Sequence, residues 1–299
     1  MTTTGKDFHS IATPGHAEGQ WRFTANDRGE VAWLDEPPIG GLALVEMAWL
    51  ATAPREQRGL SITVDTRSFF AAGSGIKLGL GSSAAAMTAL IGALCELAPG
   101  QHNRGALAMK AHKAFQRGQG SGVDIATSLH GGVIEFRMNN RDAPLQLRWP
   151  EGLFFRFLWS GQAADTGSKI SKLGLTTGDE GNWDALLTAA QAVSSTWAGG
   201  NVTDILDEIR RYTKVLRRFS IDHNLGIFDA GHDGLVDLAA PSGVVYKPCG
   251  AGGGDIGIVM AIDESAVVRF GERAKESGFV SLDFALDQNG VEVSDGNCT

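Results

Sequence analysis

The stretch that most constrains this chain is Gly79-Leu80-Gly81-Ser82-Ser83-Ala84-Ala85-Ala86, just after Lys77. Two glycines permit a tight turn and a close approach of backbone to a ligand. The small residues behind them open a helical pattern that runs to about Leu97, and Ser82 or Ser83 is placed to cap it. The first amides of such a helix point outward, unpaired, at its positive dipole end, where an anion, most naturally a phosphate, fits. The same eight residues also make an ordinary small-residue helix start with an N-cap serine and no ligand. The run by itself does not choose between the two.

Two familiar phosphate signatures do not account for it. A dinucleotide fingerprint needs a strand directly before the glycines and an acidic residue about twenty positions beyond them. Here the strand pattern Leu60–Thr66 is separated from the run by a ragged Gly/Ser segment, and the nearest downstream acid, Glu96, lies in the same helical pattern. The P-loop pattern GxxxxGK[ST] is absent; Gly161…Gly167-Ser168-Lys169 is a near miss.

Composition narrows the function classes. The 299 residues are 43% hydrophobic and 20% charged, enough for one large domain or two ordinary ones with real cores. The 40 glycines, well above the usual rate of about 7%, cluster at 72–81, 118–132 and 250–257, as ligand-approaching loops do. A formal charge of −8 and a pI near 5.4 argue against nucleic acid or an anionic membrane as the main partner, but leave room for a small anion held by local cations. Cys95, Cys249 and Cys298 form neither a disulfide framework nor a zinc pattern. With no apolar signal core in Met1–Ser10, a cytoplasmic protein is expected.

Along the chain, residues 1–20 give weak signals. Trp21–Phe23 and Glu30–Leu34 predict strands around an Asn26–Gly29 turn, Leu42–Ala53 a buried helix, and Arg104–Arg117 a second helix after Pro99-Gly100. A glycine loop then leads through Val123 and Asp124 into a short helix, Ile125–Leu129, and a strand at Val133–Arg137. A connector over 138–150 marks the expected boundary between domains 1–150 and 151–299. Beyond it, Leu153–Trp159 predicts a strand, and Trp183–Trp197 and Thr203–Phe219 predict helices. In the second helix Ile205, Ile209, Tyr212, Leu216 and Phe219 make one apolar face. Val244–Lys247, a glycine loop and Ile256–Ile262 predict strand, turn and strand, followed by a final helix, Glu264–Ser277.

Two further constellations carry chemistry. Lys247-Pro248-Cys249-Gly250-Ala251-Gly252-Gly253-Gly254-Asp255 is bounded so closely by strand patterns that it reads as a compact turn, suited to lie against Gly79–Ser83. Gly120-Ser121-Gly122-Val123-Asp124 places a carboxylate at a helix start. Alone such an Asp is usually a cap or a dipole partner; facing a phosphate loop, it becomes a group for phosphoryl transfer.

Taken together, the three stretches resemble the GHMP kinases, the galactokinase, homoserine kinase, mevalonate kinase and phosphomevalonate kinase superfamily. Lys77 to Ser83, Ser121-Gly122-Val123-Asp124-Ile125-Ala126 with Gly131-Gly132, Trp159-Ser160-Gly161-Gln162-Ala163-Ala164-Asp165-Thr166 and Lys247 to Asp255 point within it to the phosphomevalonate kinase branch. The likeness covers about residues 60–299. It implies an α+β, two-lobed fold, with a ribosomal-S5-domain-2-like N-terminal lobe and a ferredoxin-like C-terminal lobe. It also implies an ATP- and Mg²⁺-dependent phosphoryl transfer to a small anionic metabolite, 5-phosphomevalonate.

On that resemblance, Gly79, Leu80, Gly81, Ser82, Ser83 and Ala84 would hold the ATP phosphates, with Ser83 near Mg²⁺. Asp124 would sit at the acceptor and the metal, and Lys77 and Ser121 would contact the anionic substrate, Lys77 also assisting catalysis. Lys247, Gly250, Ala251, Gly252 and Gly253 would brace the site and approach the substrate phosphate. Neither nucleic acid nor membrane is expected as a partner, and the assembly would be a monomer or homodimer.

One departure stands out. The family usually begins with a proline-glycine-lysine stretch whose lysine assists the chemistry. Here Thr13-Pro14-Gly15-His16 puts a histidine in that place, and Lys77 or Arg22 is the compensating cation the sequence offers. Two other readings share the motifs: a relative acting on another hydroxylated substrate or as a decarboxylase, and a kinase-like protein that binds a metabolite without turnover.

Overall fold

The computed structural model describes residues 1–54, 59–73, 75–98, 100, 102–118, 120–138, 143–164, 169 and 180–294. Asp165 and Thr166 of the motif above, and Cys298, lie outside the described residues. Internal packing divides the chain into two units. One holds Met1–Gly75, Gly81–Gln146 and the C-terminal segment from Leu286; the other holds Ile76–Leu80 and Leu147–Ala285. A division into consecutive pieces near residue 150 does not anticipate the two segments that leave their neighbours in sequence. The protein is α+β.

In the first unit, β1 (Thr2–Thr3), β2 (His9–Thr13), β3 (Ala17–Ala25), β4 (Val31–Trp33) and β5 (Leu60–Thr63) make a mixed sheet in the order β1-β5-β2-β3-β4. The pair β2 and β5 is parallel and the other neighbours are antiparallel. The β3–β4 hairpin closes at the expected turn, where the Gly29 amide donates to the Asn26 carbonyl at 2.8 Å. The central strand β2 gave almost no sequence signal because its inward positions, His9, Ile11 and Thr13, include two polar residues. Instead of lying outside the core, His9 takes the Leu60 amide on Nδ1 at 3.1 Å and packs its ring, tilted, 4.9–5.1 Å from those of Trp49 and Phe23.

Helices α1 (Ala43–Thr52), α2 (Ser82–Cys95), α3 (Arg104–Phe115) and α4 (Val123–His130) complete this unit. Helix α2 touches the other three, and Ala84, Met87, Ile91 and Leu94 are fully enclosed. A helix buried on several sides shows no clean apolar stripe. Its alanines keep it thin enough to be packed from three directions. Beyond α4, β6 (Val133–Glu135) pairs with β7 (Leu145–Leu147). The C-terminal segment is fastened to the same unit: the Gly132 amide donates to the Asp287 carbonyl at 2.5 Å, and Val293 lies over Gly92 of α2.

In the second unit, β8 (Phe154–Trp159), α5 (Glu180–Gly199), α6 (Val202–Asp222), α7 (His232–Ala239), β9 (Val245–Pro248), β10 (Ile256–Ala261), α8 (Glu264–Glu276) and β11 (Val280–Leu282) follow in order. The sheet order β11-β8-β10-β9, antiparallel throughout, is the ferredoxin-like arrangement. Strand alternation gives it two apolar faces. Leu158, Tyr246, Val259 and Ala261 pack with α7 and α8, while Phe155, Val245, Ile258 and Met260 pack with α5 and α6. Asn201 caps α6 by accepting the Asp204 amide at 3.0 Å, and Arg217 of α6 pairs with Asp233 and Asp237 of α7. Among the described residues no helix is long and apolar enough to cross a membrane.

Candidate functional site

The glycine run at the head of α2 adopts the turn its composition predicts. Gly79 and Gly81 have φ of 78° and 74°, a region other residues enter only with strain. Gly81 is itself the N-cap, and neither serine caps the helix. That corrects the expected capping role of Ser82 or Ser83: a glycine in the left-handed region turns the chain, so both serines fall inside the helix. The Gly81 carbonyl takes the amides of Ala84 and Ala85 at 3.0 and 3.1 Å. The amides of Ser82 and Ser83, one position earlier, donate to nothing among the described residues, which is the arrangement that receives an anion.

Behind this turn, the Ser83 hydroxyl is 3.1 Å from Nε2 of His112 on α3. His112 is 1% exposed. Burial pushes its imidazole below the ordinary value, and the carboxylate of Asp124 pulls the other way. Asp124 occupies the first turn of α4, whose N-cap is Gly122 at φ 82°. Ser121 is exposed, and its hydroxyl accepts the Val123 amide at 3.3 Å. One oxygen of Asp124 takes the Ile125 amide at 2.9 Å. A β-carbon built on Gly81 would be 3.7 Å from that of Asp124, so the acid flanks the α2 turn within this one unit. Asp124 is therefore no remote helix cap.

Beside the first turns of α2, a cavity of ≈ 260 Å³ opens between Ile62, Thr66 and Phe69 on one side and Ala85, Ala86 and Ala89 on the other. His16, in the β2–β3 turn, donates its Nε2 proton to the Gly41 carbonyl at 3.3 Å. Arg22, half-exposed on β3, pairs with Asp35 at 2.7 Å.

The second unit carries the remaining residues. Lys77 is exposed, and Leu80 is half-buried. Lys247, at the end of β9, donates to the Pro248 carbonyl at 2.7 Å and lies 5.9 Å from the Tyr212 ring. The loop after it is internally bonded. The Gly252 amide donates to the Cys249 carbonyl at 3.1 Å, and the Gly253 amide donates to the Ile227 carbonyl at 2.7 Å. The Lys169 ammonium ties the carbonyls of Gly226, Ala251 and Gly252 together. These two amides brace the loop and are not offered to an anion, while those of Gly250 and Ala251 have no partner among the described residues.

Asp255 ends the loop. It accepts the Ala164 amide at 3.1 Å, and burial pushes its carboxyl up. Its side chain lies on Gly79: a β-carbon built there would be 2.2 Å from Asp255 Cγ. Below, His232 is fully buried, donating from Nε2 to the Gly254 carbonyl at 2.9 Å and accepting the Tyr246 hydroxyl proton on Nδ1 at 2.7 Å.

The sequence offers no role for His112 or His232, and shows Asp255 only as the end of the glycine loop and Lys169 only within a near-miss P-loop pattern. For His112 the signal was present: Ala108, Ala111 and Phe115 step along the inward face of α3, and a histidine on that face needs a polar partner.

Comparison with known proteins follows the same residues. The family described as GHMP kinases N terminal domain matches residues 43–132, from the start of α1 to just past α4. A curated phosphomevalonate kinase of Streptomyces sp. (strain CL190) is 31% identical over 253 residues, 73% of this chain. The chain spans 66% of that relative, just under two thirds. Among solved structures, a Lin0012 protein from Listeria innocua has a TM-score of 0.81 at 21% identity, covering 95% of this chain and 87% of that one. The phosphomevalonate kinase of Streptococcus pneumoniae, in complex with phosphomevalonate and AMPPNP, has a TM-score of 0.70 at 17% identity, covering 96% and 89%. With the glycine turn at the head of α2 and an acid on α4 beside it, residues 43–132 of this chain match the family of GHMP kinase N-terminal domains, and the fold is that of the GHMP kinases.

Proposed function

We propose that this protein is an ATP-dependent small-molecule kinase that phosphorylates 5-phosphomevalonate to the diphosphate. The observation that carries the reading is the first unit's own cluster: open amides of Ser82 and Ser83, the Ser83 hydroxyl, and Asp124 beside Gly81. The relatives named phosphomevalonate kinase support the acceptor. In this reading Gly79 to Ala84 carry the β- and γ-phosphates, and the cavity beside α2 takes the base. Lys77, Ser121, Lys247, Gly250 and Ala251 contact the anionic acceptor, and Gly252 and Gly253 keep their loop in shape.

The chemistry asks little covalent work of the protein. The second ionisation of a phosphate monoester lies near pH 6, so the acceptor is largely dianionic at neutral pH and its attacking oxygen needs no base. Asp124 then orients charge rather than removing a proton. A carboxylate beside two phosphates is tolerable only with a cation among them. Ser83 and Asp124 are hard oxygen donors that suit Mg²⁺. Among the described residues no group of three or more His, Cys, Asp or Glu forms a metal cage, and a cation shared with nucleotide phosphates needs none. Bound there, Mg²⁺ supplies neutralisation of charge on the transferring group.

The test is ADP release from ATP with an acceptor panel of phosphomevalonate, mevalonate and homoserine. Turnover should be fastest with phosphomevalonate, and Asp124→Ala should lower it by about 10²–10³-fold while nucleotide binding persists. No release above the Asp124→Ala control with any acceptor refutes the kinase reading. Preference for another acceptor refutes only the substrate.

A further inference from the structure

The contact between Ser83 Oγ and His112 Nε2 behind the phosphate turn has a direction, and that direction decides what Ser83 offers a ligand. We propose that His112 is a positioning residue for Ser83: its Nε2 accepts the Ser83 hydroxyl proton and leaves the lone pairs of Ser83 Oγ facing outward for the cation that accompanies nucleotide phosphates. The ligand half of this inference rests on the kinase reading; the hydrogen-bond half does not.

A serine has one hydroxyl proton. If Nε2 carries a proton and donates it to Oγ, Ser83 keeps its own for a phosphate oxygen. If Nε2 is bare, the hydroxyl gives its proton to the ring and becomes an oxygen ligand. The surroundings favour the second arrangement. Phosphate oxygens are already offered the amides of Ser82 and Ser83. What a cation lacks there is a second protein oxygen beside Asp124, and Oγ with its proton turned inward supplies one. The ring is 1% exposed, 3.1 Å from Oγ, and stacked on Phe115 with centroids 6.0 Å apart, so it cannot swing out to another partner. Such a partner fixes the orientation of a ligating group without touching the metal, and its loss typically lowers metal affinity by about 10- to 100-fold.

Two measurements test it. Long-range ¹H–¹⁵N correlation on the ligand-free, labelled protein reads the tautomer of His112. The expected form has Nδ1 protonated and Nε2 bare, with the Nε2 resonance moving in Ser83→Ala; a protonated Nε2 overturns the proposal whatever the protein catalyses. Mn²⁺ titration in the presence of AMPPNP, followed by electron paramagnetic resonance, reads the ligand half. His112→Leu and Ser83→Ala should each weaken Mn²⁺ binding by about 10- to 100-fold, and the double variant should be no weaker than Ser83→Ala alone. Losses that multiply, or an unchanged His112→Leu, overturn it. A wild-type protein that binds no AMPPNP sinks the kinase reading, and the tautomer then decides the hydrogen bond on its own.

Discussion

Gly79→Ala and Gly81→Ala look alike in sequence and should behave differently. Both residues sit at positive φ, 78° and 74°, so an alanine at either costs about 1–2 kcal/mol of backbone strain. Their surroundings differ. The new methyl at Gly81 meets only Asp124 Cβ at 3.7 Å, an ordinary van der Waals contact. At Gly79 it would lie 2.2 Å from Asp255 Cγ and 2.4 Å from Asp255 Cβ. A β-carbon cannot move without its backbone, so the loop's end must shift, which adds roughly 1–3 kcal/mol of overpacking. The expected losses are therefore about 1–2 kcal/mol for Gly81→Ala and about 2–5 kcal/mol for Gly79→Ala.

Urea unfolding followed by far-ultraviolet circular dichroism measures both losses. Asp255→Gly provides the decisive control, because Asp255 itself stands at φ 53° and a glycine there is unstrained. Combined with Gly79→Ala it should recover at least about 1 kcal/mol relative to the sum of the single losses. Equal losses for the two alanines, with strict additivity in the double variant, would refute the idea that Asp255 presses on the turn.

Three further outcomes follow from the same contacts. Tyr246→Phe strips the donor from buried His232 Nδ1 and should cost about 1–3 kcal/mol by urea unfolding, beyond what loss of a surface hydroxyl costs. Burial, outweighing the Gly254 carbonyl, lowers the His232 pKa in the folded protein, with Lys169 and Lys247 adding to the shift. The unfolded chain then binds the proton more readily, so His232's contribution is intact above about pH 6.5 and lost progressively below it. The urea midpoint should fall between about pH 7.5 and pH 5.5, and fall less in His232→Gln. Asp255, whose carboxyl burial raises, opposes this fall wherever the folded protein binds that proton before the unfolded chain does. Gly92→Val places side-chain atoms against Val293, whose Cγ2 is already 3.1 Å from a bare β-carbon there. Limited proteolysis should cut the segment after Leu286 faster in that variant than in the wild type.

What the sequence made legible, and what it hid, has a consistent physical basis. Elements announced by apolar period or glycine punctuation were found within a few residues: β10, α6 and the turn before α2. Elements whose inward positions are polar were hidden. Strand β2 turns His9 and Thr13 into the core, and α7 begins with fully buried His232 and holds Gly234 and two aspartates in eight residues. A hydrophobicity pattern does not register a histidine that is buried because its ring is bonded at both nitrogens.

The site divides the same way. The glycines and Asp124 were readable because turn geometry demands glycine and charge stands out. The supporting groups were not, because Lys169, His112 and Asp255 act through partners that are 57 or more, 29 and 91 residues away in sequence. The return of the C-terminal segment to the first unit has the same cause: Val291 and Val293 are two ordinary valines until Gly92 leaves room for them.

The most direct test is a ³¹P nuclear magnetic resonance record of the protein incubated with ATP, Mg²⁺ and 5-phosphomevalonate. The account predicts that the phosphomonoester signal is replaced by a pair of coupled diphosphate resonances, in step with ADP. Phosphomevalonate left unchanged, with ATP either intact or hydrolysed to inorganic phosphate, would contradict it.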